Sequence, residues 1–272
     1  MHKRLKSVIL TALMAVISLI AFVPFYMMFI MSTHVTEDLY KGLVLLPGSY
    51  LIKNLGTAIH SGLPGYYVNS VIVSVVSTVF SVLVSAMGGF ALAKYRFRGR
   101  KPIFTFILLS MMVPTQLGLV AYVIEMRYLG FVKTLLPLIL PWVSSAFGVY
   151  WMRQYISAAV PGEIIESGRI DGCSEPVILF ALVIPCIIPA LISLMMLIFL
   201  WSWNNYLLPL VIQNDPAVYT LPIGLSSIGD LYHVDQAAKI AGLTLGTLPL
   251  LLIFSFGSKS FLKGLTAGAI KE

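Results

Sequence analysis

Charge is what this sequence has least of. Only 11% of its 272 residues are Asp, Glu, Lys or Arg, while 58% are hydrophobic and the mean hydropathy is +0.93. An ordinary soluble domain carries about 25% charged residues, so this composition excludes a water-solvated surface and points to lipid as the main solvent. Cysteine is equally scarce. Cys173 and Cys186 are the only two, which rules out a disulfide framework, and both are expected to be unpaired. No ionisable side chain falls inside the long apolar stretches: every acid lies in a loop or at a stretch end, as at Glu125 and Asp235, and His2, His34, His60 and His233 lie outside. Intramembrane ionisable groups mark proton relays and ion pathways, so a proton-coupled carrier or a pump with its own relay is disfavoured. Two motifs are missing as well. Gly-Ser-Lys-Ser at Gly257–Ser260 does not satisfy the phosphate-binding G-x-x-x-x-G-K-[ST] loop, and no H-E-x-x-H is present. With no buried His–carboxylate pair either, an enzyme has no visible catalytic residues.

What is present is a series of apolar runs. A span needs about 20 mostly apolar residues to cross about 30 Å of hydrocarbon, and six runs qualify: Val8–Met31, Val68–Ala93, Ile103–Ile124, Thr134–Met152, Val177–Leu200 and Asp235–Gly257. Asp235 is expected to cap the last, so its apolar part starts near Ile240. The first run exceeds the roughly 7–15 apolar residues of a secretory signal, and Ser32-Thr33-His34 is no small-x-small cleavage site, so it is expected to stay attached. The sequence therefore predicts an all-α fold, a polytopic membrane bundle of about six transmembrane helices. The chain divides into an N-terminal span and external segment (1–66), a membrane-spanning core (67–258) and a C-terminal tail (259–272). Basic residues orient it. Only Lys41, Lys53, Arg127, Lys133 and Lys239 fall on one side; the other 13 of the 18 flank the opposite side together with both termini, which places the termini in the cytoplasm. The net charge of +7 is thus a topology signal, and nucleic-acid binding is not expected.

Within the second run, Ser70, Ser74, Ser77, Ser81, Ser85 and Gly88 recur every three or four residues and share one helical face. Such a seam lets two membrane helices approach closely; the sharper alternative is the wall of a water-filled pathway. Pro24, Pro114, Pro137, Pro141, Pro185 and Pro189 each remove a backbone donor and predict kinks, static or gating. Trp201, Trp203 and Tyr206 suit an aromatic belt at the membrane face. Asn204 and Asn205 among them, with Gln116 in the third run, are candidates to line a polar pathway for a hydroxyl-rich neutral solute.

The loop Val160–Pro176 is unlike the others. Pro161 suits the first turn of a helix, Glu163 and Glu166 its positive end, Gly172 its termination, and Ser174 the cap of a following helix. The expected product is a short helix, a sharp turn and a second helix. Ser167 and Gly168 leave the first helix slim on one side, a shape that fits a partner's groove; the alternative is a plain amphipathic connector.

Glu166–Gly172, E-S-G-R-I-D-G, followed by Pro185, resembles the EAA loop of ABC importer permeases, roughly E-A-A-x-x-D-G and then about a dozen residues to a proline. The Glu, the Asp-Gly and the Pro are kept. Ser167-Gly168 replaces the two alanines, and Ala181 stands where many relatives carry a basic residue. Tyr67-x-Asn69-Ser70, Phe90–Arg100, Met111–Pro114, Trp203–Leu210 and Thr220–Leu225 are similar to the carbohydrate-uptake branch, and Gly264–Lys271 to the tail of the maltose-type second permease subunit. The resemblance implies the ABC transporter type-1 permease fold. It also implies a multi-pass protein of the cell membrane that forms half of a translocation pathway for a sugar. Its partners would be a second permease, two cytoplasmic ATPase subunits and an external solute-binding protein, with ATP and Mg on the ATPase and no cofactor on this chain. Glu163, Glu166, Ser167, Gly168, Asp171 and Gly172 would meet the ATPase, as would Ala267, Gly268, Ala269 and Lys271 of the tail. Gln116, Asn204, Asn205 and Tyr206 would face the solute. The competing reading is an ATP-independent channel or secondary carrier.

Overall fold

The computed structural model describes residues 2–229 and 235–267, and α-helix is the dominant element, with no strand among the described residues. The principal helices are α1 (His2–Ser32), α2 (Leu63–Lys94), α3 (Arg100–Met112), α4 (Leu119–Tyr128), α5 (Leu136–Val143), α6 (Ala146–Ala159), α7 (Gly162–Ile170), α8 (Ile188–Trp203), α9 (Leu207–Ile212) and α10 (Gln236–Ala267).

Among the described residues, four helical stretches are long and apolar enough to cross a membrane: Arg4–Ser32, Leu63–Lys94, Ile188–Ile212 and Gln236–Lys259. A fifth arises if the pair Arg100–Met112 and Thr115–Tyr128 is one span, bent by 89°. The six even runs expected from hydropathy are therefore realised unevenly, and prolines explain most of the difference. At the third run Val113 takes φ −82°, ψ 122° ahead of Pro114, the extended geometry that proline's Cδ forces on its predecessor. The fourth run becomes α5 and α6. Pro141 lies inside α5, the helix gives out at Ser144 (φ −100°, ψ 47°), and Ser145 restarts it by accepting a hydrogen bond from the Gly148 N–H at 3.1 Å. Helix α6 then continues past Met152, so Arg153, expected in a loop, lies within it with its guanidinium 3.9 Å from the Phe104 ring centre. The fifth run begins with a π-helical stretch, Ile178–Val183, immediately before Pro185, and its long helix starts only at Ile188. By contrast, Pro24 and Pro249 sit inside α1 and α10 without ending them.

Two compact units emerge, Met1–Pro64 with Gly224–Leu248, and Gly65–Ile223 with Pro249–Glu272. In the first, α1 exposes its apolar side chains, as at Leu19 (68%) and Ile20 (65%), as lipid as solvent requires. The buried Asn54 amide donates to the Ser32 and His34 carbonyls at 2.8 and 2.7 Å, tying Leu51–His60 to the end of α1. Asp235 caps α10 as expected: its Oδ1 accepts from the Ala238 N–H at 2.9 Å and from Thr36 Oγ1 at 3.0 Å.

Two apolar clusters stand out among the described residues of the second unit. One gathers Val82, Ala86 and Phe90 of α2, Met152 and Ile156 of α6, Ile165 of α7, and Ile178, Val183, Leu194 and Ile198 beyond it. The other gathers Val73, Val123, Met126, Leu138, Ile139 and Ile212. The larger one lies directly beneath α7 and fixes where that short helix sits.

Candidate functional site

Helix α7 has one side packed inward and one side open. Ile165 and Gly168, three residues apart, are buried, while Glu163, Glu166, Ser167 and Ile170 are exposed, Ile170 by 86%. Pro161 stands at the N-cap and Glu163 in the first turn, where a carboxylate meets the positive end of the helix. Gly172 has φ +78°, the left-handed conformation glycine tolerates. It closes a Schellman turn in which the Cys173 N–H donates to the Gly168 carbonyl at 2.9 Å and the Gly172 N–H to the Arg169 carbonyl at 3.1 Å. Ser174 occupies the following N-cap, but its side chain makes no capping bond.

The slim side of α7 does not face outward. A Cβ on Gly168 would lie 2.8 Å from Leu182 Cδ1 and 3.3 Å from Ile178 Cγ1, so this chain's own π-helical stretch fills the space. The groove-shaped insertion expected from Ser167-Gly168 is thus corrected: glycine here seats the helix on its own core. The outward surface is carried by Glu163, Glu166, Ser167 and Ile170, with the exposed Asp171 and Gly172 at the turn.

Sequence reasoning missed what holds the loop. Glu175 accepts from Arg169 Nε at 2.8 Å and from the Tyr95 hydroxyl, and the Arg169 guanidinium sits 5.5 Å from the centre of the Tyr95 ring. At the loop's other end Lys94 Nζ donates to the Val160 carbonyl. Arg100 caps the end of α2 by donating to the Ala93 and Tyr95 carbonyls at 3.1 and 3.3 Å. The hydrogen bonds from Arg169 and then Tyr95 hold the Glu175 carboxyl below the usual carboxylate range. Burial, followed by the bond to Glu175, pushes the Tyr95 hydroxyl up to about 12. The signal available in the sequence was the Lys94-Tyr95 pair at a helix end, which reads there only as topology charge.

The serine seam is packing. Ser74, Ser77, Ser81 and Ser85 are wholly buried, and their hydroxyls find no hydrogen-bond partner among the described residues. A Cβ on Gly148 would lie 2.2 Å from Ser85 Oγ, and one on Gly89 only 2.5 Å from Met152 Cβ, so α2 and α6 touch almost backbone to backbone. On α2 the tighter of the two adjacent glycines is Gly89, one residue beyond the Gly88 that the spacing picked out; a Cβ on Gly88 would meet Val149 methyls at 3.4 Å.

Three of the four pathway candidates, Asn204, Asn205 and Tyr206, are consecutive, and the fourth, Gln116, lies on another segment. Gln116 is exposed in the 3-10 turn Thr115–Gly118, just after the bend of the pair Arg100–Met112 and Thr115–Tyr128. Asn204 closes α8, its Nδ2 donating to the Leu200 carbonyl at 2.9 Å, with Asn205 half-buried and Tyr206 exposed in the break before α9. No hydrogen bond joins Gln116 to that break among the described residues. Trp203 is not a belt residue. It is 3% exposed, stacked on Phe199 at 5.6 Å and edge-on to Tyr67 at 5.5 Å.

Residues 85–265, from the seam through this loop and along α10, match the family described as binding-protein-dependent transport system inner membrane component. This chain belongs to that family.

Relatives support the assignment along the length of the permease. It is 35% identical over 206 residues to the arabinooligosaccharides transport system permease protein AraQ of Bacillus subtilis, covering 76% of this chain and 73% of that one. It is 28% identical to the lactose transport system permease protein LacG of Rhizobium radiobacter, over 100% of this chain and 98% of that one. It is 31% identical to the diacetylchitobiose uptake system permease protein DasC of Streptomyces coelicolor, over 91% of each. The fold is shared with a chain in the crystal structure of a bacterial ABC transporter involved in the import of the acidic polysaccharide alginate. The TM-score is 0.80 at 24% identity, covering 95% of this chain and 97% of that one. Like its family, this permease is a multi-pass membrane transport component. Of its tail, Gly268, Ala269 and Lys271 lie outside the described residues, and Ala267 is the last residue of α10. Gly264, which the resemblance placed at the start of the tail, is part of the packed unit. Its carbonyl accepts from the Tyr155 hydroxyl at 2.9 Å, and a Cβ there would lie 2.0 Å from Ser193 Oγ.

Proposed function

We propose that this permease is one half of the translocation pathway of an ATP-driven importer for a neutral oligosaccharide, and that it receives ATP-driven movement through the loop 160–176. Family membership together with the outward surface of α7 carries the reading. A nine-residue helix whose inner face is locked on the core while Glu163, Glu166, Ser167 and Ile170 stand in the open is built to be covered by another protein. Glu166 pairs with a basic side chain of the ATPase, Asp171 and Gly172 fix the turn, and Gly168 seats the helix. The tail residues Ala267, Gly268, Ala269 and Lys271 meet the same ATPase. That subunit holds ATP and Mg; this chain holds no cofactor and hydrolyses nothing.

The remaining partners are a second permease and an external solute-binding protein. The basic asymmetry puts both termini and the loop 160–176 in the cytoplasm. The solutes in the relatives' names, arabinooligosaccharides, lactose and diacetylchitobiose, are neutral saccharides, and the apolar part of each hydrophobic run, which in the last begins near Ile240, carries no Lys or Arg. Gln116, Asn204, Asn205 and Tyr206 are the pathway side chains with matching hydrogen-bonding and stacking chemistry. Affinity purification of the tagged chain from its native membrane tests the whole reading. An ATPase and a second permease should co-purify, and the reconstituted complex should take up one of these saccharides only with ATP and its receptor. Uptake by this chain alone, without ATP, would establish a channel or carrier instead.

A further inference from the structure

Helix α2 holds structural segments at both of its ends. At one end two consecutive residues grip both ends of the loop that carries α7. Lys94 Nζ donates to the Val160 carbonyl where the loop begins, and the Tyr95 hydroxyl donates to Glu175 where it finishes, with Glu175 also held by Arg169 at 2.8 Å. Toward the other end two consecutive residues grip the segment 216–221. Asn69 Nδ2 donates to the Ala217 and Tyr219 carbonyls at 3.0 and 2.9 Å, and Ser70 Oγ accepts from the Leu221 N–H at 2.8 Å.

The other routes out of the loop are interrupted. Helix α6, which leads into it, is cut off from α5 at Ser144–Ser145, and the chain that leaves it passes through the π-helical stretch Ile178–Val183 before Pro185 and Pro189. Helix α2 has no proline after Pro64 and runs without a break to Lys94. At 1.5 Å per residue, Asn69 and Lys94 are roughly 38 Å apart, about the thickness of a bilayer. Toward its Lys94 end, over Ser85–Gly89, α2 also lies almost backbone to backbone on α6.

We infer that α2 is the rigid rod that carries movement between the two faces of the membrane, with Lys94, Tyr95 and Glu175 as the positioning residues that grip the coupling loop and Asn69 as the one that grips the segment 216–221. The inference rests on the proposed docking of the ATPase at α7. It adds that displacement of the loop is delivered to the outer face through these few hydrogen bonds, not through the broken helices beside them.

The test reads the outer face while the nucleotide state is changed on the inner one. In a chain with Cys173→Ala and Cys186→Ala, the exposed Ala217→Cys is labelled with a membrane-impermeant maleimide in the assembled complex, with and without trapping of nucleotide by ATP and vanadate. The labelling rate should change severalfold on trapping. With Glu175→Gln or Tyr95→Phe added, trapped nucleotide should stay at the unmodified level while the change in labelling falls away, and Glu175→Asp should restore part of it. A merely structural role would lower trapping and assembly together and leave the ratio of the two unmoved. A full labelling response in Glu175→Gln and Tyr95→Phe, or a label that ignores trapping in the unmodified complex, overturns the inference. Failure to trap any nucleotide defeats the ATPase reading beneath it, which separates the two failures.

Discussion

Replacing Gly89 by alanine is the sharpest probe of how this bundle is held together. A Cβ there would sit 2.5 Å from Met152 Cβ, 2.7 Å from the Arg153 nitrogen and 2.9 Å from the Met152 carbonyl carbon. Non-bonded carbons rest at about 3.5–4.0 Å, so the helices must separate by around 1 Å, and the obstructing atoms are backbone or Cβ that no rotamer change can move. Over-packing of this kind typically costs about 1–3 kcal/mol, and the better helix propensity of alanine returns about 0.5–1 kcal/mol. A net loss of up to about 2.5 kcal/mol remains, centred near ~1 kcal/mol, which for a protein of this size lowers the unfolding midpoint by about 2–4 °C per kcal/mol. Gly88→Ala is the control. Its Cβ meets only the Val149 methyls at 3.4 Å, an ordinary contact, so propensity dominates and the variant should be as stable as the parent or slightly more so. Both are compared in the same detergent by thermal unfolding with fluorescence-detected size exclusion. A Gly89→Ala protein that melts with or above Gly88→Ala would refute the close approach of α2 and α6.

The remaining expectations are briefer. A cysteine at Ser49 should react with an impermeant reagent in intact cells and one at Arg98 should not; the reverse pattern would invert the proposed orientation. Glu166→Ala should weaken ATPase docking by about 0.5–3 kcal/mol, depending on how far the pair is desolvated. Gly172→Val should disturb the turn, since φ +78° costs a non-glycine residue about 1–2 kcal/mol; normal transport by the double variant would end the docking proposal. Finally, Glu175 has a folded-state pKa below its ordinary 4.5, so its grip on Arg169 and Tyr95 is complete above that value and is lost only as pH falls through the lowered one. Coupling of transport to ATP hydrolysis should therefore be insensitive to Glu175 across neutral pH; a loss centred between pH 6 and 7 would contradict this.

Much of this protein was legible without a fold. Scarcity of charge dictated a lipid-solvated helical chain, because burying ions in hydrocarbon is too costly for a sequence to do idly. Local chemistry fixed the loop as well: Pro161, Glu163 and Gly172 specify the start and stop of α7 through backbone geometry confined to a few residues, and Asp235 caps α10 for the same reason. These are interactions of short sequence separation, so reading along the chain finds them. What lay across the chain stayed hidden. Hydropathy counts apolar residues and cannot tell a straight span from one bent by 89° at Val113–Pro114, nor from the pair α5 and α6 parted at Ser144. The spacing rule located a small-residue seam but chose Gly88 over Gly89, since which of two adjacent glycines faces Met152 depends on the rotation of α2 against α6. The same limit hid the role of Gly168, which depends on Leu182 lying beneath it, and the grip of Lys94 and Tyr95 on a loop some 66 and 80 residues away. Composition and local backbone preference chose the solvent and the elements; packing between distant segments alone decided which side chains became the joints.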